Sequence, residues 1–149
     1  PIPTGTGIIP IGLIVIVLAI LSAIAIPSFI SIQSQAEVEA AKATLINGIK
    51  ECYVRQAEKK TTYFSDIDSF SSELNNFKIV KSSTSKSSDN CFSARAVPTE
   101  KKIDQHTWFE IKSDPKGKKI IKTCGDSKKI GCYEGGKWEG PEADETPSE

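Results

Sequence analysis

No charged side chain occurs before Glu37. All 19 Lys and Arg and all 19 Asp and Glu residues therefore fall after residue 36. The average of 26% charged residues and the net charge of zero join two different materials end to end. One is an apolar rod and the other a water-soluble head, large enough to bury a modest core but small enough to need staples. Methionine is absent altogether, so the mature chain is expected to begin downstream of its translation start. Histidine occurs once, at His106, and no GxSxG elbow or glycine-rich phosphate loop is present. General acid–base, Ser-His-Asp and phosphoryl-transfer chemistry each need partners that are not signalled, so no catalytic residue and no cofactor is expected. His106 reads as an ordinary surface histidine. There is no Asn-x-Ser/Thr sequon and no CxxC pair, which argues against N-glycosylation and against a zinc site. Without a basic excess, nucleic-acid binding is not indicated either.

Four cysteines are present, Cys52, Cys91, Cys124 and Cys132. An even number behind an export-like apolar N-terminus favours disulfides in an oxidising compartment over metal ligation. Four cysteines allow three connectivities. The seven residues GDSKKIG between Cys124 and Cys132 carry turn formers at both ends and read as a hairpin pinched by a disulfide. Such a bond contributes roughly 2–3 kcal/mol by chain entropy. Cys52 and Cys91 are then left for each other.

Residues 1–7, PIPTGTG, cannot hold a regular helix alone. From Ile8 to Ile26 the chain is apolar and uncharged, enough to cross a bilayer core of about 30 Å. The run passes directly into an amphipathic helix, so it reads as a retained anchor rather than a cleaved signal. Pro10 suits a first helical turn. Pro27 is interior, removes a backbone hydrogen bond, and predicts a kink or local unwinding. Beyond it Val38, Ala41, Leu45, Ile49, Cys52 and Gln56 recur at steps of three and four, one face of an amphipathic helix. Glu37, Glu39, Lys42, Lys50, Glu51, Arg55 and Lys59 lie off that stripe, with Glu51 and Arg55 placed as an i,i+4 pair. A helix from Ile8 to Lys59 would span roughly 78 Å. Half of it has no partner in its own chain, which implies lipid or other subunits.

After the helix, Ser65 to Asn76 can hold a short helix and FKIV (77–80) a brief strand. KSSTSKSSDN (81–90) reads as an exposed Ser-rich loop, more often bare than O-glycosylated. CFSARAV (91–97), HTWFEIK (106–112) and KKIIKT (118–123) are β-forming runs, and SDPKGK (113–118) is a hairpin turn. The three runs are expected to form an antiparallel sheet across the helix, with Cys91 reaching Cys52 beneath it. Trp108 and Trp138 read as packing residues. The lysines of 112–122 read as a solvated edge that discourages sheet-to-sheet aggregation. Tyr53 and Phe29 could line subunit contacts. The expected organisation is an apolar helix (1–36), an α+β head (37–140) and an acidic, disordered tail (141–149).

Positions 18–45, LAILSAIAIPSFISIQSQAEVEAAKATL, resemble the N-terminal helix of type IV pilins and of type II secretion pseudopilins. The apolar run ending in Ala-Ile-Pro, then Ser-Phe, then a Gln/Ala/Glu/Lys-rich helix carries the likeness, and its wording is similar to pilins of cyanobacterial type. The motif covers about a fifth of the chain, whereas the implied architecture covers nearly all of it. That architecture is a long helix packed at its C-terminal half on a small antiparallel sheet, closed by a disulfide region matching Cys124 to Cys132. The resemblance implies a subunit cut by a prepilin peptidase, held in the inner membrane, and added by the pilus assembly machinery to a helical homopolymer outside the cell. Adhesion, motility or DNA uptake would be its roles. Filament-core packing would then fall to Ile14, Val17, Leu18, Leu21, Ile24 and Phe29. The register from Pro27 sets the processing site between Gly5 and Thr6. A Gly before the cut fits the family. The mature first residue, however, is usually a large apolar one, N-methylated, and Pro10 stands where the family keeps a carboxylate. Three explanations stay open: an incompletely determined N-terminus, a minor subunit working without that carboxylate, or processing that leaves residues 1–5 in place. A minor pilin or secretion pseudopilin is the runner-up. A plain single-pass binding domain would leave Pro27 and the amphipathic continuation unexplained.

Overall fold

The step of three and four that begins at Val38 does close into a helix face as far as Cys52, whereas Gln56, its last expected member, is exposed. Ser34, Glu37, Val38, Ala41, Lys42, Leu45, Gly48, Ile49 and Cys52 are all buried, while their neighbours Gln35, Glu39 and Lys50 are exposed. These residues belong to helix α1, Ile8–Ala57. The computed structural model describes residues 8–82 and 89–140; before Ile32, side-chain environments are described at Val15 and Ile16. The chain separates into two compact units, Pro1–Ser34 and Gln35–Glu149. The helical backbone is unbroken through Pro27, so the local unwinding expected there is absent.

The C-terminus of α1 is closed by backbone geometry. Lys59 adopts a left-handed φ of 56°, Lys59 N–H donates to Gln56 O at 3.0 Å, and Lys60 N–H donates to Arg55 O at 2.9 Å. This is the Schellman arrangement, which satisfies carbonyls the helix would otherwise leave bare. The Arg55 charge does act on Glu51, as their spacing suggested, but the two make their direct contacts elsewhere. Glu51 accepts from the Asp68 and Ser69 backbone N–H groups at 3.0 and 3.2 Å and from Ser69 Oγ at 2.9 Å. Arg55 Nε donates to Thr61 O at 2.9 Å, and its guanidinium lies 3.7 Å from Asp66. The two side chains thereby tie the following segment, two short 3-10 turns at Phe64–Asp66 and Asp68–Ser71, back onto the helix. A Cβ on Gly48 would fall within the ring of Phe70, so the bare glycine lets that ring lie against α1.

Four strands follow: β1 Phe77–Val80, β2 Ser93–Pro98, β3 Phe109–Ser113 and β4 Ile120–Cys124. They form an antiparallel sheet in the order β1-β2-β3-β4. FKIV is the brief strand expected, and it joins the three expected runs as a fourth member of the sheet, paired Phe77 to Pro98 through Val80 to Arg95. Register sets Ala94 opposite Ile111 and Ala96 opposite Phe109, and all four are buried on the face toward α1. The small alanines of β2 leave room for the large side chains of Leu45, Ile49, Phe109 and Phe77 in one core. The head is α+β, one helix face packed on a small antiparallel sheet.

Both disulfides pair as expected, Cys52–Cys91 and Cys124–Cys132, with Cα separations of 5.6 and 5.8 Å. The first joins the helix stripe to the segment entering β2, closing a loop worth roughly 4 kcal/mol by chain entropy. The second does not pinch a hairpin. After Cys124 the chain turns repeatedly, and Cys124 N–H finds Gly136 O at 2.9 Å while Cys132 N–H finds Lys129 O at 3.3 Å. The ladder partner lies beyond the loop, in a bridge between Thr123 and Lys137. The central residues of the Ser-rich loop (83–88) and the acidic tail (141–149) lie outside the described residues.

Candidate functional site

Two positions on the buried helix face carry charge, and each recruits a distant segment. Glu37 was expected off the stripe, yet it is buried. Its Oε1 accepts from Asn76 Nδ2 at 2.7 Å and its Oε2 lies 3.0 Å from His106 Nε2. His106, expected at the surface, has a fully buried side chain and packs against the Phe77 ring at 5.1 Å. The short turn before β3 drives it inward, since His106 N–H donates to Lys102 O and Thr107 is buried beside it. Asn76 reaches Glu37 from a left-handed φ of 64°, a conformation asparagine tolerates well. His106 Nδ1 has no hydrogen-bond partner among the described residues. The cluster therefore joins α1, the start of β1 and the turn before β3 through one carboxylate. With its imidazole wholly enclosed, it is built as a tether rather than as an accessible acid–base pair.

Lys42, also expected off the stripe, anchors the C-terminal loop. Its ammonium donates to Trp138 O at 2.9 Å, sits 5.3 Å from the Phe109 ring centroid and meets Glu39 at 3.4 Å. Trp138 is buried, packs edge-on to Phe109 at 6.1 Å and donates its indole N–H to Thr123 O at 2.6 Å. Gly131, at φ 78°, lets the disulfide loop lie against Val38, where a side chain would collide. Between the helix and this loop runs a groove of about 370 Å³ floored by Lys42, Ile46 and Trp138 and rimmed by Tyr133, Lys122 and Glu139. Its cations already face carboxylates, Lys42 with Glu39 and Lys122 with Glu139 at 3.4 Å each.

A third polar cluster occupies the sheet face turned away from α1. Glu110, 3% exposed, takes Arg95 at 2.7 Å, Ser82 Oγ at 2.8 Å and Lys112 at 3.2 Å. Burial pushes its pKa up, but hydrogen bonds from Ser82, Arg95 and Lys112 outweigh it and hold the carboxyl below its ordinary value. Arg95 also stacks 4.1 Å from the Trp108 ring centroid. Glu51 is likewise held low: some burial opposes, and the Asp68 and Ser69 backbone donors prevail. The Tyr53 hydroxyl is pushed up by burial and by the Asp114 charge; it bonds Ser113 Oγ and donates to Asp114 O at 2.8 Å. Tyr53 thus packs within the head, against Phe92 at 5.6 Å.

In the N-terminal unit, the described apolar side chains, Val15, Ile16 and Ile32, are each more than half exposed. The expected filament-core residues Ile14, Val17, Leu18, Leu21, Ile24 and Phe29 lie outside the described side chains, as do Gly5, Thr6 and the ring of Pro27. Most of the expected anchor, Ile8 to Ile26, shares that position; among the described residues no helix is long and apolar enough to cross a membrane. No group of three or more His, Cys, Asp or Glu that could hold a metal occurs among them either. Sequence reasoning missed the buried roles of Glu37, Lys42, Glu110 and His106. The first two were visible only as charges one helical step from the stripe. No family model matches the chain, and neither a curated protein nor a solved structure matches it.

Proposed function

We propose that this chain is the structural subunit of an extracellular, type IV pilus-like filament, polymerising through the N-terminal part of α1. The observation that carries the reading is the division of labour along one helix. From Glu37 to Cys52 its inner face is spent on the head, whereas Val15, Ile16 and Ile32 are each more than half exposed. An uncharged run from Ile8 to Ile26 on such a helix is satisfied by lipid before assembly and by copies of itself afterwards. A head of one amphipathic helix on a four-stranded antiparallel sheet, closed by Cys124–Cys132, is consistent with a pilin-like fold. The subunit would wait in the inner membrane after cleavage by a prepilin peptidase. Its partners would be the assembly machinery and further copies of this chain, with no enzymatic role.

The energetics suit reversible growth. Each Leu, Ile or Val side chain taken from water would contribute about 1.5–3 kcal/mol. The unassembled helix already sits in hydrocarbon, however, so the net gain comes largely from packing. Pro10, in place of the family carboxylate, favours a minor pilin as the second reading, because such a subunit need not neutralise a neighbour's terminal amine within the core. A Leu18→Glu substitution tests the main reading. It should abolish filaments seen by electron microscopy while the head keeps its wild-type melting temperature. Normal filaments from that variant would sink the assignment.

A further inference from the structure

We propose that the groove between α1 and the disulfide loop binds an acidic sugar, the hexuronate residue of a glycan chain. The site lies wholly within the head, so it goes beyond the filament reading and does not rest on it. The groove holds about 370 Å³, within the size range of small-ligand sites. At its floor is the Lys42 ammonium, on a side chain only 9% exposed. An ammonium carries three N–H donors. One of those on Lys42 is taken by Trp138 O at 2.9 Å, and a second meets Glu39 at 3.4 Å, long for a charge-assisted bond. The third has no acceptor among the described residues; the nearest aromatic neighbours are Phe109 and Tyr133, with ring centroids at 5.3 and 6.0 Å. A nearly buried cation with a spare donor favours an anion in the groove it floors.

The rest of the lining selects the kind of anion. Glu39 and Glu139 stand at the rim, both largely exposed, and Lys122 meets Glu139 at 3.4 Å. Two rim carboxylates repel a second negative charge, which favours a carboxylate monoanion over a phosphate dianion. They also accept hydrogen bonds, and Lys122 donates them, a mixture that suits a body bearing several hydroxyls. Ala43, Ile46 and Trp138 add apolar wall, and Tyr133, 43% exposed, offers ring surface against the C–H face of a pyranose.

A hexuronate joins these features in one residue: a single carboxylate for Lys42, hydroxyls for the rim, and an apolar ring face for Tyr133. A second cavity, of about 450 Å³, shares Lys122, Trp138, Glu139 and Gly140 with the first and reaches Ile120. It provides room for the next sugar of a chain, which a site for a free monosaccharide would not need.

The test titrates the full-length chain, held in a sugar-free detergent, with sodium glucuronate, and with glucose and acetate as controls. NMR shifts of the Trp138 indole N–H and of the Lys42, Lys122 and Gly140 amides report binding. Glucuronate should bind saturably with a Kd on the order of 1 mM, and glucose and acetate about tenfold more weakly or worse. Lys42→Met should weaken glucuronate binding about tenfold or more. Because Lys42 also holds the Trp138 carbonyl, Tyr133→Ala at the exposed rim is the second variant. It should weaken binding about fivefold and leave the melting temperature near that of the wild type. No saturable binding of glucuronate would overturn the proposal, as would equal affinity for glucose or for acetate. Binding that Tyr133→Ala leaves unchanged would lie elsewhere on the molecule and overturn the site as well.

Discussion

The two parts of α1 share one backbone and differ in what surrounds them. From Glu37 to Cys52, one face of the helix is buried in the head, and the opposite face carries Glu39 and Lys50 into water. Toward Ile8 the sequence has no polar face at all, and Val15 and Ile16, adjacent in sequence and so on different sides of the helix, are both exposed. An amphipathic helix can be satisfied inside one small domain. A helix apolar on all sides needs apolar surroundings on all sides, which one small head cannot supply. The comparison teaches that stability and assembly are encoded in separate stretches of one element. Damage to one should leave the other readable.

The disulfide from α1 to the segment before β2 tests that separation hardest from the side of the head. Cys52→Ser with Cys91→Ser should destabilise the head by roughly 4 kcal/mol in denaturant unfolding, without altering detergent extraction of the apolar helix. A comparable change in extraction would show that the two parts are coupled. A smaller effect is expected at the buried polar tether. His106→Leu strands the Glu37 carboxylate on Asn76 alone and should cost about 1–3 kcal/mol. Replacing both partners, Glu37→Leu with His106→Leu, should recover part of that loss, because no buried charge is then left unpaired. If the double variant is worse than the single one, the cluster contributes more than mutual satisfaction. The smallest effect concerns pH. Glu51 and Glu110 are both held below their ordinary values in the folded head, so the stability they add is present above the unfolded carboxylate pKa of about 4.3. It is lost as pH falls through the folded values. Melting curves between pH 6 and pH 3 should therefore slope downward on the acid side, and Glu51→Gln with Glu110→Gln should flatten that slope by about 3 °C. An unchanged slope would move the acid sensitivity elsewhere in the molecule.

Much of the head could be read without coordinates because its signals are local. The spacing of Val38, Ala41, Leu45, Ile49 and Cys52 marks a helix face whatever packs on it, and all five are at most 2% exposed. Ser113 to Lys118 announces a turn through Pro115 and Gly117, and Gly117 adopts φ 71°. The pairing of the cysteines was legible because few arrangements are open to four thiols. Other features were not local. The Cys124–Cys132 loop carries hairpin-like turn formers, but its strand partner, Gly136 to Lys137, lies outside the pair. His106 stands among polar neighbours in the sequence, and a sequence separation of 69 from Glu37 hides their contact.

By itself, the sequence determined the uncharged stretch before Glu37, the helix stripe, the turn between β3 and β4 and the supply of two disulfides. Periodicity, turn chemistry and charge depend on residues near one another along the chain. Only the tertiary structure decided which charged groups became interior: Glu37 beneath His106, Lys42 beneath Trp138, Glu110 beneath Arg95 and Ser82. A charge one step from an apolar stripe is buried or solvated according to whether a distant segment brings it a partner, because desolvation without one is too costly.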